Sequence, residues 1–114
     1  PIEPLQIDPL RIREVLTNLV GNALRYTPRD GEVRVGLTSR PDAVEFTVTD
    51  TGTGISAEDL PHIFERFYKG VRSSGSGLGL TIAQNLVEAH GGRISASSEA
   101  GRGTTITFSL PRTP

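Results

Sequence analysis

A carboxylate and two glycines stand close together in the run Asp50-Thr51-Gly52-Thr53-Gly54. The residues before it alternate between apolar and polar side chains, which predicts a β-strand with one buried face that ends at Asp50. A carboxylate in that position needs hydrogen-bond donors, because burying an unpaired polar group is costly. The glycines allow a sharp turn and the close approach of another group. The stretch is suited to a flat ligand that carries N–H donors, such as adenine; the alternative is a strand that ends in a simple turn.

Two asparagines, Asn18 and Asn22, are one helical turn apart and flank the apolar stripe of a predicted helix together with Arg25. Asparagine is a poor helix former, so its presence twice calls for a reason. Amide oxygens suit Mg²⁺, whereas amide NH₂ groups and a guanidinium can donate to phosphate oxygens. The alternative is that both asparagines bond neighbouring backbone or face solvent.

A glycine cluster at residues 75–79 lies at the N-terminus of a helix that is predicted from Leu78 to the pair Gly91-Gly92. The free N–H groups and the dipole at a helix N-terminus favour an anion. This position indicates a phosphate site, and the alternative is a flexible hinge.

The elements that would position these groups follow from the hydrophobic pattern. Asp8-Pro9 begins a helix that ends near Tyr26, because Pro28 disfavours helical geometry in the residue before it. A short helix is predicted to begin within residues 56–60. Strands are predicted at residues 5–7, 31–38, 44–50, 94–97 and 105–110.

Composition excludes several classes of protein. The 114 residues suffice for one domain, and 12 Lys+Arg against 13 Asp+Glu indicate neither nucleic acid nor a direct membrane contact. The absence of cysteine excludes disulfides, thiolate catalysis and zinc–sulfur sites. No apolar run approaches the roughly 20 residues of a membrane-spanning helix. We expect residues 1–4 to be the end of a linker and residues 5–114 to form the domain.

Two common phosphate motifs nearly match and can be excluded. Residues 70–76 resemble a P-loop but lack its lysine, and no strand precedes them. Residues 52–57 fit a dinucleotide fingerprint, but no carboxylate lies about 20 positions further on.

Five segments, in this order, resemble the N, G1, F, G2 and G3 boxes of the catalytic, ATP-binding domain of bacterial sensor histidine kinases. They are residues 18–23, 50–54, 63–68, 75–80 and 101–105. The resemblance covers roughly residues 5–111. It implies an α+β fold of the Bergerat type, a two-layer sandwich with a mixed, mostly antiparallel sheet of about five strands, covered on one face by about three helices. It also implies ATP and Mg²⁺ as cofactors.

The resemblance implies a role for each matching residue. Asp50 would accept from the adenine amino group, Asn22 would hold Mg²⁺, and Tyr26 would stack near the adenine. Asn18 and Arg66 would be catalytic, beside the phosphates. Further ATP contacts are implied for Arg25, Gly52, Gly54, Ile55, Lys69, Gly75, Gly77, Leu78, Gly79, Leu80 and Thr105.

The reaction implied is transfer of the γ-phosphoryl group of ATP to a histidine on a separate dimerisation domain, for relay to a response regulator. Related hydrolytic ATPases have a water-activating glutamate where this chain has Asn18, and an amide cannot take a proton at neutral pH. We therefore expect transfer with little hydrolysis, although Glu14, one turn earlier, is a possible substitute base. Residues 68–76 would form a lid over the nucleotide, and neither His62 nor His90 stands in the context of a phosphoacceptor.

Partners and alternatives complete the expectations. We expect an upstream dimerisation and histidine-phosphotransfer domain, an indirect link to a receiver domain, no nucleic acid, and a monomer in isolation. The domain would lie in the cytoplasmic part of a membrane-anchored receptor. The alternatives are a serine kinase of the same fold that acts on an anti-sigma-type partner, and a degenerate module that binds a partner without nucleotide.

Overall fold

The structure is a computed structural model that describes residues 9–65 and 79–111. Helix α1 begins the described part and is followed by a β-hairpin, a short 3₁₀ turn, helix α2 and a second hairpin. The elements are α1 (Pro9–Tyr26), β1 (Val33–Ser39), β2 (Ala43–Asp50), the 3₁₀ turn (Leu60–His62), α2 (Gly79–Ala89), β3 (Arg93–Glu99) and β4 (Gly103–Pro111).

The four described strands form one antiparallel sheet in the order β1-β2-β4-β3. Each hairpin pairs strands that are neighbours in the sequence, and the β2–β4 pairing joins the two hairpins. The predicted α+β architecture is confirmed, with four strands and two α-helices in the described residues. The strand predicted at residues 5–7, which was to be the fifth, lies outside them.

The hydrophobic core lies between one face of the sheet and the two helices. Alternation along the strands supplies the apolar residues of that face, and helical spacing supplies those of α1 and α2. Phe108 is fully buried and stacks on Phe46 with 4.7 Å between ring centroids. The buried core residues are Ile12, Val15, Leu19, Ala23, Val48, Ala83, Val87, Ile106, Phe108 and Leu110.

The opposite face of the sheet is polar. The strand register places Thr49, Thr105 and Ser97 side by side on it, and all three are half-buried or exposed. The two faces of each strand therefore have opposite characters, as expected for an antiparallel sheet with one face on the core.

The short helix predicted at residues 56–60 is shifted and shortened. Ser56 Oγ accepts a hydrogen bond from the Asp59 amide at 3.1 Å, as a capping serine would, but the segment continues only as the 3₁₀ turn. Pro61 explains the difference, because it has no N–H to donate and disfavours helical geometry at Leu60.

Neither α1 nor α2 combines the length and the apolar character that crossing a membrane requires.

Candidate nucleotide-binding site

Asp50 ends β2 in the interior of the sheet. The residue is 5% exposed, and its Oδ1 accepts a hydrogen bond from the Gly52 amide at 2.8 Å. Strand pairing places Thr104 directly opposite Asp50, and Thr104 is also buried. Because directly paired residues lie on the same face of a sheet, the carboxylate and the hydroxyl belong to the helix-covered face, at its edge.

At two glycines, backbone atoms of the protein already occupy the place that a side chain would take. Gly54 has φ +72°, and a Cβ on it would lie 2.0 Å from the Glu99 carbonyl oxygen. Gly103 has φ +114°, and a Cβ there would lie 2.0 Å from the Asp50 carbonyl oxygen. Both conformation and space therefore require glycine. The loop after β2 and the turn between β3 and β4 are in direct backbone contact.

Hydrogen bonds hold the loop of residues 51–55 from two sides. On the β3–β4 side, the Gly101 amide donates to the Thr53 carbonyl at 2.7 Å, and the Ile55 amide donates to Ser98 Oγ at 2.7 Å. On the β1 side, Thr51 exchanges two hydrogen bonds with Glu32: Thr51 N–H donates to Glu32 O at 3.0 Å, and Glu32 N–H donates to Thr51 Oγ1 at 2.8 Å. The position of the loop is thus fixed by both neighbouring strands.

Helix α1 carries the two asparagines. Its apolar stripe, with Leu19 and Ala23, packs in the same core as Val48. Asn18 and Asn22 are half-buried beside that stripe. Thr27 follows the helix, and its Oγ1 donates to the Ala23 carbonyl at 2.6 Å.

Gly31 joins the end of α1 to the loop. A Cβ on Gly31 would lie 2.5 Å from Thr27 Cγ2 and 2.8 Å from Thr51 Oγ1, so these three residues are packed closely. The C-terminal turn of α1, which carries the exposed Arg25, therefore lies near the loop that begins at Asp50.

Helix α2 begins at Gly79, at the end of the predicted glycine cluster. Leu80 is half-buried and packs against the core, and Thr81 Oγ1 donates to the Phe64 carbonyl at 3.0 Å. The start of α2 is therefore attached to the segment that follows the 3₁₀ turn. The rest of the cluster (Gly75, Gly77 and Leu78), the lid, Arg66 and Lys69 lie outside the described residues, as does the side chain of Tyr26.

The remaining residues of the prediction are located as follows. Gly52, Gly54 and Ile55 are buried in the loop beside Asp50. Thr105 pairs with Thr49 and lies on the polar face, so its predicted ATP contact stays a prediction. Thr104 is the threonine that lies on the Asp50 face, and sequence reasoning missed it. The signal was present, because Thr104 has the same strand parity as Ile106, Phe108 and Leu110.

A metal site made by the protein alone is absent from the described part, where no three His, Cys, Asp or Glu side chains come together. The two histidines have local partners: His62 Nδ1 lies 2.7 Å from Glu65 Oε2, and His90 Nδ1 lies 2.8 Å from the Leu86 carbonyl. His90 is half-buried just after the end of α2.

A family model described as histidine kinase-, DNA gyrase B- and HSP90-like ATPase matches residues 7–114. The chain belongs to this ATPase family. Within it, the chain is similar to the sensor histidine kinase WalK of Bacillus subtilis (strain 168), with 41% identity over 94% of this chain. The chain spans 19% of the length of WalK, about a fifth.

Solved structures agree with the family assignment. The mycobacterial sensor histidine kinase MprB superimposes with a TM-score of 0.86 and 31% identity, over 96% of this chain and 78% of that one. Full-length ShkA in complex with AMPPNP superimposes with a TM-score of 0.79 and 35% identity, over 91% of this chain and 22% of that one. This ATPase-family chain is thus a histidine kinase-type catalytic domain, as its five boxes predict.

Proposed function

We propose that this domain binds ATP with Mg²⁺ and transfers the γ-phosphoryl group to a histidine on a separate helical dimerisation domain. The observation that carries the proposal is the buried Asp50 carboxylate, which stands beside a loop and a turn in which Gly54 and Gly103 have no room for a side chain. A carboxylate is an acceptor and suits the exocyclic amino group of adenine, and the glycines let the loop and the turn pack closely together beside it.

The described residues would provide one ligand for the metal and hydrogen-bond donors for the phosphates. Asn22 supplies one amide oxygen, and phosphate oxygens and water would supply the other ligands, as is usual for Mg²⁺ at phosphates. The metal would neutralise phosphate charge. Asn18 and Arg25 would orient the phosphates by donating hydrogen bonds, together with Arg66 and Lys69 from beyond the described residues.

The amide at Asn18 supports transfer over hydrolysis. Hydrolysis would need a base that activates water, and the half-buried Asn18 cannot act as one. Glu14, one turn earlier, lies 3.4 Å from Arg11 in an ion pair near the surface. We expect ATP hydrolysis by this chain to be slow and Asn18→Glu to raise it, measured as phosphate release; fast hydrolysis by the parent would contradict this part of the proposal.

Nucleotide binding is the first property to measure. We expect calorimetry to show ADP and ATP binding that Mg²⁺ strengthens, and we expect Asp50→Ala to weaken it by tenfold to 100-fold or more, roughly the value of a buried hydrogen bond to a charged group. Asp42→Ala is the matched control, because Asp42 is exposed in the β1–β2 turn. Unfolding curves of both variants would show that each is folded. Equal nucleotide affinities of the two variants would contradict the assignment of Asp50 as the acceptor for the adenine amino group.

Phosphoryl transfer needs an acceptor, which we expect the chain itself to lack. Incubation with γ-labelled ATP should leave this chain unlabelled after denaturation and label a histidine of the added dimerisation domain, because positioning dominates phosphoryl transfer. Label retained on this chain would contradict the proposal.

The wider setting is part of the same proposal. The relatives' greater length supports a longer sensor kinase, in which residues 5–114 would be a monomeric cytoplasmic domain after a linker at residues 1–4. A receiver domain would then be an indirect partner.

A further inference from the structure

Thr81, the third residue of α2, joins this helix to a distant segment of the chain. Its Oγ1 donates to the Phe64 carbonyl oxygen at 3.0 Å, across a separation of 17 residues. A threonine hydroxyl in a helix commonly bonds a carbonyl of the preceding turn of the same helix. Because the hydroxyl has a single proton, the bond to Phe64 leaves none for that local bond. Thr81 therefore attaches the first turn of α2 to a group outside the helix.

The Phe64 carbonyl belongs to a segment that is itself held in place. Four backbone hydrogen bonds of 2.9–3.1 Å connect residues 56–65 in overlapping turns. These turns begin directly after Ile55, whose amide donates to Ser98 Oγ at 2.7 Å. The 3₁₀ turn within the segment also lies against β3. The position of Phe64 is thus set by the loop of residues 51–55 and by the sheet.

The bond between Thr81 and Phe64 connects two parts of the predicted nucleotide site. The loop of residues 51–55 lies beside Asp50, which would bind the base. Gly79 and Leu80 at the start of α2 are among the predicted ATP contacts, where the sequence indicates phosphate. A hydrogen bond from α2 to residues 56–65 therefore relates the phosphate end of the site to the base end.

Apolar packing alone would hold the start of α2 less precisely. Leu80 and Ala83 pack in the core, and this burial keeps the helix on the sheet. The hydrophobic effect is non-directional, however, whereas a hydrogen bond weakens steeply when its angle changes. The hydroxyl of the half-buried Thr81 adds a directional contact that burial does not supply.

We infer that Thr81 is a positioning residue, whose hydroxyl places the first turn of α2 for binding the phosphate part of a nucleotide. The inference rests on the proposed function. Without the hydroxyl, α2 keeps its apolar packing but loses the bond that sets the position of its first turn. The phosphates then bind more weakly, whereas the base, which binds at Asp50, keeps its affinity.

The test compares ADP with adenosine, which lacks the phosphates. We expect the parent chain to prefer ADP and Thr81→Val to reduce the ratio of the two affinities by roughly fivefold, the order of one neutral hydrogen bond. Valine has nearly the shape of threonine, so this variant loses the hydroxyl and keeps the packing. The affinity for adenosine, followed by NMR titration, should equal that of the parent.

Three further variants control for shape, helix propensity and position. Thr81→Ser keeps the hydroxyl and should keep the preference for ADP. Thr81→Ala lacks the hydroxyl but favours the helix, so it should fold and reduce the ratio as Thr81→Val does. Thr107→Val is the matched control, because Thr107 is also half-buried but lies on the polar face of the sheet, and its ratio should equal that of the parent.

A role of Thr81 in stability alone gives a different pattern. The free energy of unfolding would fall in Thr81→Val and Thr81→Ala while the ratio of affinities stayed the same, which would overturn the inference. A loss of affinity that is equal for ADP and adenosine would overturn it as well. So would a reduced ratio in Thr81→Ser, because the methyl group and not the hydroxyl would then be responsible.

The structural half of the inference can be measured without nucleotide. The carbonyl ¹³C chemical shift of Phe64 should change in Thr81→Val and not in Thr107→Val, because this shift responds to the hydrogen bond that the carbonyl accepts. An unchanged shift in Thr81→Val would contradict the inference. If the parent chain bound neither ADP nor adenosine, the proposed function would fall together with the inference. If the parent prefers ADP and Thr81→Val retains that preference, only the inference falls.

Discussion

Two glycines at the site differ in the room that they leave for a Cβ. Comparing alanine substitutions at the two positions therefore distinguishes backbone strain from steric overlap. Gly54 and Gly101 both have positive φ, +72° and +82°. A Cβ on Gly54 would overlap the Glu99 carbonyl, whereas a Cβ on Gly101 would meet nothing within 4 Å. The same substitution therefore has different consequences at two positions that are joined through Thr53.

Gly54→Ala should lower the free energy of unfolding by about 3 kcal/mol or more, because left-handed strain and overpacking add. Gly101→Ala should lower it by only about 1 kcal/mol, from strain alone. Urea unfolding measures both values. Equal losses would mean that the loop relaxes away from the Glu99 carbonyl, and that the close contact between loop and turn is not required.

The sequence predicted which residue types belong to the site better than it predicted which contacts those residues make. Asp50 and the glycines were recognisable because a charged residue at a strand end and clustered glycines are unusual. The contact of Ser98 with Ile55 was not predictable, since it joins residues far apart in the sequence. The position of Thr104 was predictable, because alternation along β4 places Thr104 and Thr105 on opposite faces of the sheet.

At the element scale, α1 contains a residue that lowers the stability of the helix. Gly21 lies in the helix interior and is exposed, and a Cβ there would meet nothing within 4 Å. Glycine in a helix is less favourable than alanine by roughly 0.5–1 kcal/mol, because it loses more conformational freedom on folding. The position therefore offers a stabilising substitution outside the core.

Gly21→Ala should raise the free energy of unfolding by about 1 kcal/mol, visible as a higher urea midpoint at unchanged slope. Gly91→Ala, the same chemical change just after α2 at φ +77°, should lower it. If Gly21→Ala destabilised the domain, the open space on this face of α1 would be called into question.

The elements themselves were largely predictable. Helical spacing and a proline stop predicted α1, and alternation predicted both hairpins. The exception is the segment before Pro61, where Ser56 and the acidic residues 58 and 59 favour a helix and the proline interrupts it. A proline one turn into a helix removes a backbone hydrogen bond and interrupts the helix.

At the scale of the whole molecule, the burial of large apolar side chains distinguishes the core from the edge of the sheet. Phe108 is fully buried in a central strand and stacks on Phe46, whereas Leu37 on the outer strand β1 is 63% exposed. Removing the Phe108 side chain leaves a cavity in the core, whereas removing the Leu37 side chain changes only the surface.

Phe108→Ala should lower the free energy of unfolding by about 3–5 kcal/mol, and Leu37→Ala should change it by only about 0.5 kcal/mol or less. Thermal unfolding followed by circular dichroism would compare them. A large loss in Leu37→Ala would show that β1 is covered by a further part of the chain.

The order of strands was beyond the reach of sequence pattern. Periodicity predicts that β1 pairs with β2 and β3 with β4, because short turns join them. Which hairpin edges then meet depends on how α1 and α2 pack on the sheet. The five ordered boxes predicted the family. The resemblance to that family then predicted the two-layer architecture, which periodicity alone does not predict.

The seam between the hairpins has a kinetic consequence. Asp50 and Thr104 face each other across the β2–β4 pairing, which is the one contact among the four described strands that no short turn closes. Local hairpins form early in folding, whereas pairing of distant segments is slow because a long loop must be closed first. The two halves of the pocket therefore meet only when the last seam closes. A nucleotide bound there would hold the seam shut and slow the unfolding of the whole domain.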